Sequence, residues 1–188
     1  MKKWLIGSLV GAILVFGWQA LSHTVLGIHN NDMKYTAAQT EVLANLTSNL
    51  KEDGGYILPN SSSPAEMQKV MEANAGKPWA TVIYHSSLSN DMVTPMIRGF
   101  LVCVFLVIVL IYLLTRGGTP TQVRIIGGSV ALGLAYWMNG PYIGHIWYEL
   151  PWHMIKGDLI DSLASWTLCG LWLSWWLSRK PSRPSASI

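Results

Sequence analysis

Four long runs without a charged residue constrain this chain more than any other feature of its sequence. They extend from Trp4 to Ser22, from Gly99 to Thr115, from Ile125 to about Asn139 and from Ser162 to Ser178. A hydrocarbon core of roughly 30 Å is spanned by about 20 helical residues, each rising about 1.5 Å. We therefore predict a mainly α membrane protein with four transmembrane helices. The third is expected to be short or oblique, because Gly140-Pro141 is expected to end it.

The composition agrees with this class of protein. Of the 188 residues, 51% are hydrophobic and only 12% are charged, which is about half the charged fraction of an ordinary soluble domain. Ten tryptophans are typical of aromatic belts at membrane interfaces. Disorder, collagen and coiled coil are excluded. We expect the protein to lie in a lipid bilayer and to bind no nucleic acid.

The basic residues predict an orientation, because Lys and Arg in short flanking segments stay on the cytoplasmic side. With both termini inside, seven basic residues and no acidic residue lie in the cytoplasm. The other six basic residues and all ten acidic residues then lie outside, so the net charge of +3 divides into +7 inside and −4 outside. The inner basic residues are Lys2, Lys3, Arg116, Arg124, Arg179, Lys180 and Arg183.

The first span also resembles a signal peptide, with Met-Lys-Lys, an apolar core and the small residues of Ala20-Leu21-Ser22. However, the apolar stretch is longer than a usual signal core. Trp18-Gln19 is bulky where a peptidase favours small side chains. We therefore expect residues 1–22 to be retained.

The domain prediction is transmembrane helix 1 at residues 1–23, an extracytoplasmic α/β module at 24–95, and transmembrane helices 2–4 at 96–188. Within the module, the patterns predict helices at 36–50, after a capping-box spacing at Thr36, and at 64–74, and strands at 56–58 and 79–84. Two strands joined through a helix are usually parallel neighbours, and a two-stranded sheet is marginal in water. We therefore predict that residues 30–92 fold poorly alone and need a partner surface. That surface is the membrane-proximal ends of the same chain, a second copy, or another protein.

Histidines and an acid in the third loop, residues 140–158 on the outer side, suggest a metal site. All five histidines lie on the predicted outer side, and three residues there are spaced by four, which would place them on one face of a continuous helix. Two further histidines follow span one and add ligands if the loops converge. The candidate ligands of a transition metal such as copper or zinc are His145, Glu149, His153, His23 and His29.

The same loop has an alternative interpretation, which we favour. Pro151 interrupts the helix that the spacing of four requires, and no cysteine accompanies the histidines. Aromatic rings that are apolar on their faces and polar at one edge lie at the headgroup level of a bilayer. The loop is then an interfacial segment, with Tyr142, Trp147, Tyr148 and Trp152 beside the histidines, and no cofactor is bound.

Other polar and small residues have ordinary structural interpretations. Cys103 and Cys169 lie in apolar helices and are predicted to be packing residues. Asp158 and Asp161 precede span four and are expected to favour its N-terminus, with a catalytic carboxylate pair as the alternative. Small residues in pairs predict close helix contacts, within one bundle or between subunits: Gly7 with Gly11, Ser129 with Gly133, and Gly170 with Ser174.

Several short segments together resemble a group of uncharacterised bacterial four-span membrane proteins. They are Trp18-Gln19-Ala20-Leu21-Ser22, Tyr56-Ile57-Leu58-Pro59, Lys77-Pro78-Trp79-Ala80 and an aromatic third loop before Trp166 to Trp172. The resemblance implies a multi-pass protein of the bacterial inner (plasma) membrane with cytoplasmic termini. It implies no activity and no functional residue.

The chain has no nucleophile elbow, phosphate-binding loop, HExxH or paired CxxC motif. No catalytic residue is predicted, and we expect a non-enzymatic accessory or assembly subunit of an envelope complex. It binds a protein partner, or a second copy of itself, through the extracytoplasmic module. The alternative function is a periplasm-facing metal-binding or redox accessory protein that uses the outer-face histidines.

Overall fold

A computed structural model describes residues 2–178 of the chain, with Lys2 described by its backbone alone. The predicted inner residues Arg179, Lys180 and Arg183 lie outside the described residues. The fold is mainly helical. Its elements, in chain order, are α1 (Lys2–Thr24), α2 (Gln39–Asn49), β1 (Gly54–Leu58), α3 (Pro64–Asn74), β2 (Ala80–Tyr84), α4 (Val93–Thr115), α5 (Gln122–Trp137), a π-helical turn (Met138–Tyr142), α6 (Ile143–Tyr148) and α7 (Trp152–Ser178).

The chain divides into two units. Within the described residues, the first is a helical bundle formed by residues 2–33 and 91–178, and the second is Lys34–Asn90. In the bundle, α7 packs against α1 and α5, and α1 also packs against α4. The buried core includes Val15, Val107, Ile125 and Leu173, one residue from each of these four helices.

The four bundle helices alternate in direction. The Lys3 ammonium donates to the carbonyl of Leu177, at the far end of α7, whereas Ser22 contacts Asp161 near its start, so α1 and α7 are antiparallel. Trp137, at the end of α5, donates from Nε1 to the carbonyl of Ile155 at 3.0 Å, so α5 and α7 are antiparallel as well. The contact of Phe16 with Phe100 and the close approach of Gly11 to Val107 show the same for α1 and α4.

Two bundle helices are long and apolar enough to cross a membrane, at Lys3–Thr24 and Val93–Thr115. Only 33% and 28% of their most apolar windows are buried, so most residues of these windows are not buried within the chain. A core helix of a soluble protein would bury most of this surface. Four spans are not shown, because α5 has 16 residues and the first part of α7 contains Lys156, Asp158 and Asp161.

The third helix differs from the prediction that Gly140-Pro141 ends it. The chain passes through these residues in the π-helical turn Met138–Tyr142 and continues as α6 to Tyr148. A proline inside a helix lacks an N–H donor, and its ring clashes with the preceding turn. The wider π-helical turn makes room for the ring, so the helix continues past it. The helical path is therefore unbroken from Gln122 to Tyr148.

The small residues make close helix contacts within the chain. A Cβ built on Gly133 of α5 would lie 2.7 Å from the Ser162 carbonyl oxygen, and one on Gly170 would lie 2.9 Å from the Ser129 Cβ. A Cβ on Gly11 would lie 2.9 Å from Val107. The predicted contacts are thus confirmed, and they lie inside one bundle.

The second unit contains the predicted helices and strands, but the strands pair differently. β1 and β2 are antiparallel, with Leu58 opposite Ala80 and Gly54 opposite Tyr84, so the prediction of parallel strands is wrong. The segment containing α3 leaves and returns at the same end of the sheet, which an antiparallel pair allows with any length of connection. Thr36 does not cap α2: the helix begins at Gln39 after Ala38, and no side chain caps it.

Candidate functional site

The site begins with a tight turn that follows α1. Gly27 has a φ of +65°, a left-handed conformation that glycine adopts without steric cost. The turn is closed by the Asn30 N–H, which donates to the Gly27 carbonyl at 3.3 Å. It returns the chain to α7, where the His29 ring lies against Gly157. A Cβ at position 157 would stand 2.8 Å from the His29 Cε1, so the lack of a side chain there makes room for the imidazole.

Asp161 is the centre of the site, and it is 6% exposed. Its Oδ1 accepts a hydrogen bond from the Trp18 indole Nε1 at 3.0 Å. Its Oδ2 accepts one from the Ser22 hydroxyl at 2.7 Å and lies 3.0 Å from the Nε2 of His29. A buried carboxylate is costly unless it is hydrogen-bonded or paired with a cation. These three contacts supply what a buried carboxylate needs, and they join α1, the turn and α7.

His29 bridges two carboxylates. Its Nδ1 lies 2.6 Å from the Oδ2 of Asp32, and its Nε2 faces Asp161. Burial alone lowers the pKa of His29, but hydrogen bonds to Asp32 and Asp161, together with their negative charges, raise it above its usual value. Because ionised carboxylates only accept hydrogen bonds, the imidazole donates from both nitrogens when both acids are ionised.

His23 lies at the exposed edge of the site. Its ring stacks on that of His29, with centroids 3.8 Å apart and planes 16° from parallel. Its Nδ1 lies 3.0 Å from the Gln19 carbonyl oxygen and 3.8 Å from the Asp161 Oδ2. The His23 side chain is 55% exposed, so this ring is open to solvent on one side while His29 and Asp161 are enclosed.

The predicted metal ligands divide into two sets. His23 and His29 come together with Asp161, and one potential ligand atom from each residue lies within 4.8 Å of the others. In the described part of the chain, this is the only such group of three or more His, Cys, Asp or Glu side chains. His145, Glu149 and His153 do not belong to it.

The separation of His145 from His153 has a simple cause. Helix α6 ends at Tyr148, Glu149 adopts a left-handed φ of 50°, and α7 begins only at Trp152. The continuous helix that the spacing of four required is therefore absent from this segment. His145 lies 2.6 Å from the Leu150 carbonyl oxygen through its Nδ1 and packs edge-on against Trp152.

Asp161 was missed as a site residue because it was predicted to favour the start of span four. Helix α7 instead begins at Trp152, so Asp158 and Asp161 lie in its second and third turns and cannot act as first-turn acids. An acid directly before a long uncharged run was the signal available in the sequence. His29 and Asp161 are 132 positions apart, and no local spacing connects them.

Cys103 and Cys169 are both buried, unpaired cysteines within the core cluster. Among the described hydrogen bonds, neither sulfur contacts His23, His29 or Asp161. The Cys103 sulfur lies 4.0 Å from the side-chain oxygen of Gln19. Their placement agrees with the prediction of packing residues.

In comparisons with known proteins, no family model, no curated protein and no solved structure matches the chain. The chemistry of the site therefore follows from its own geometry. Two imidazoles and a carboxylate that lie this close together can bind a divalent cation or exchange protons.

Proposed function

We propose that this chain is a non-enzymatic multi-pass protein of a bacterial inner membrane and serves as an accessory or assembly subunit of an envelope complex. The observation that supports this most is the uncovered apolar face of the sheet in Lys34–Asn90. We call this the open face and define it by Ile57 and Ile83.

The two faces of the sheet differ in how they are covered. Tyr56, Val82 and Tyr84 alternate onto one face, and the hydroxyl of Tyr84 donates to the Thr47 hydroxyl of α2 at 3.3 Å. The opposite face carries Ile57 and Ile83, which are 42% and 76% exposed. Alternation of side chains along each strand places these two isoleucines together.

The unit has little core of its own. Within Lys34–Asn90, all of which the structure describes, Tyr84 is the only buried residue, and neither α2 nor α3 buries a residue. Burying apolar area stabilises a fold by roughly 25 cal/mol per Å², so this unit gains little from its own packing. A protein surface that covers the open face would supply the missing apolar contact.

The bundle supports four alternating spans with cytoplasmic termini. The helical path from Gln122 to Tyr148 and the helix α7 are each longer than the roughly 20 residues that a bilayer requires. The alternation of helix directions places Lys3, Arg116 and Arg124 at the same end of the bundle. That end is cytoplasmic by the rule that basic flanks stay inside.

The test is photo-cross-linking in the native membrane at native expression. A photoreactive residue is introduced at Ile83, on the open face, and the adducts are separated by mass and identified by mass spectrometry. We expect one dominant adduct with a defined membrane or envelope protein. The matched control carries the same residue at Lys69, an exposed position of α3 in the same unit, where we expect no dominant adduct.

A second variant checks that the adduct reports a specific contact. Ile57→Asp places a charge beside position 83 on the open face and should remove the adduct without changing membrane insertion. A dominant adduct with a second copy of the chain would identify a homo-oligomer instead of an accessory subunit. Equal, diffuse labelling at positions 83 and 69 would contradict the proposal.

A further inference from the structure

We propose that His23, His29 and Asp161 bind one borderline divalent transition cation, Zn²⁺ or Cu²⁺, with Asp32 holding His29 in place. This site is independent of the open face and of the partner proposed above. It combines the two predicted histidines that follow span one with a buried acid of α7.

The donor atoms are close to the spacing that a tetrahedral cation needs. Zinc binds imidazole nitrogen and carboxylate oxygen at about 2.0 to 2.2 Å, so two such ligands stand about 3.3 Å apart. The His29 Nε2 and the Asp161 Oδ2 are 3.0 Å apart, and the His23 Nδ1 is 3.8 Å from the same oxygen. The separation of the two enclosed ligand atoms is therefore within tenths of an ångström of the separation around a bound cation.

His23 has to turn before it can bind, because its ring is stacked on His29 and its Nδ1 faces the Gln19 carbonyl oxygen at 3.0 Å. The side chain is more than half exposed, so rotation meets little steric resistance. The exposed position of His23 also leaves a coordination site open to water. Three protein ligands and one open position are typical of zinc sites that exchange a ligand.

Asp32 has the position of an outer carboxylate. Histidines that bind metals usually donate their other N–H to a carboxylate or carbonyl, which fixes the tautomer and the ring orientation. The Nδ1 of His29 makes this contact with Asp32 at 2.6 Å, leaving Nε2 to face Asp161. The second carboxylate oxygen of Asp32, Oδ1, is buried and has no hydrogen-bond partner among the described residues.

The donor set suits a divalent transition cation. Imidazole nitrogen and carboxylate oxygen are ligands that Zn²⁺ and Cu²⁺ bind well, and a second carboxylate, Asp32, lies against His29. The cation would fix the turn after α1 to α7, directly before the chain enters Lys34–Asn90.

The experiment uses the full chain, purified in detergent without a polyhistidine tag. The protein is loaded with Zn²⁺ alone or Cu²⁺ alone and dialysed. The bound metal is counted by mass spectrometry, and the affinity is measured by competition with a chelator. We expect one metal per chain. His29→Gln and Asp161→Asn should lose stoichiometric binding, and Asp32→Asn should weaken it about 10- to 100-fold, the usual effect of losing an outer carboxylate.

Two further variants keep the result decisive if a buried substitution prevents folding. His23→Gln changes an exposed side chain, so it should keep the melting temperature of the metal-free protein and still weaken metal binding. The control is the double variant His145→Gln, His153→Gln, which should bind as the wild type does. A wild type that holds neither metal stoichiometrically would overturn the proposal. Loss of binding in the control, with unchanged binding in His23→Gln, would also overturn it.

Discussion

At the scale of single residues, Trp18 is the least expected member of the site. The sequence marks it as a bulky residue near the end of span one, yet its indole N–H donates to the Asp161 Oδ1. Tryptophan is a donor and never an acceptor, so it suits a carboxylate that lies against an apolar helix. The contact explains how an acid can be buried beside a span that contains no charged residue.

Replacing Trp18 with Phe should therefore destabilise the bundle. The ring volume is largely kept, but Asp161 loses one donor while it stays buried, which costs on the order of 1 to 3 kcal/mol. We expect a lower melting temperature for the full chain in detergent, measured by circular dichroism. Trp147→Phe is the matched control, because Trp147 is 75% exposed and should not change the melting temperature. Equal melting of the two variants would show that the indole hydrogen bond contributes little.

At the scale of elements, the contact of α5 with α7 depends on glycine. Gly133 lies against the backbone oxygen of Ser162 and the ring of Trp166, and a Cβ there would approach them to 2.7 and 2.6 Å. Backbone atoms cannot move aside without shifting the helix. The sequence indicated close packing from the pair of small residues, but only the structure shows which helix occupies the space.

Gly133→Ala should separate the two helices and cost about 1 to 3 kcal/mol, as overpacking of a core usually does. The control lies on the same helix: Gly127 has no neighbouring atom within 4 Å of a built Cβ. Gly127→Ala should be neutral, or stabilising by up to about 1 kcal/mol, through better helix propensity. Chemical or thermal unfolding of both variants in detergent checks the difference. A Gly133→Ala variant that is as stable as the wild type would contradict this close packing of α5 against α7.

At the scale of the whole molecule, the proposed orientation with cytoplasmic termini can be tested directly. Substituted cysteines test it with a membrane-impermeant thiol reagent on intact cells. Thr119→Cys, between α4 and α5, should stay unlabelled until the membrane is opened, whereas Ser87→Cys in Lys34–Asn90 should be labelled at once. Both positions are exposed, and Cys103 and Cys169 are buried. The reverse labelling pattern would show the opposite orientation.

Much of the local structure followed from the sequence, because it depends on neighbours along the chain. The uncharged runs predicted the bundle helices, and Ser63-Pro64 predicted the start of α3 at the residue where it begins. The periodicity of apolar residues also predicted α2, with its ends displaced by a few residues. These features depend on propensity and hydrophobic period, which are written into short segments.

Only the tertiary structure decided the pairing and the site. Two strands at 54–58 and 80–84 are compatible with either direction, and the antiparallel pairing depends on where α3 returns the chain. In the same way, the spacing of His145, Glu149 and His153 assumed a continuous helix, and the break before α7 removes that helix. Asp161 meets His29 across 132 positions because α1 and α7 pack antiparallel. Contacts between distant segments depend on packing geometry, which no local pattern of residues contains.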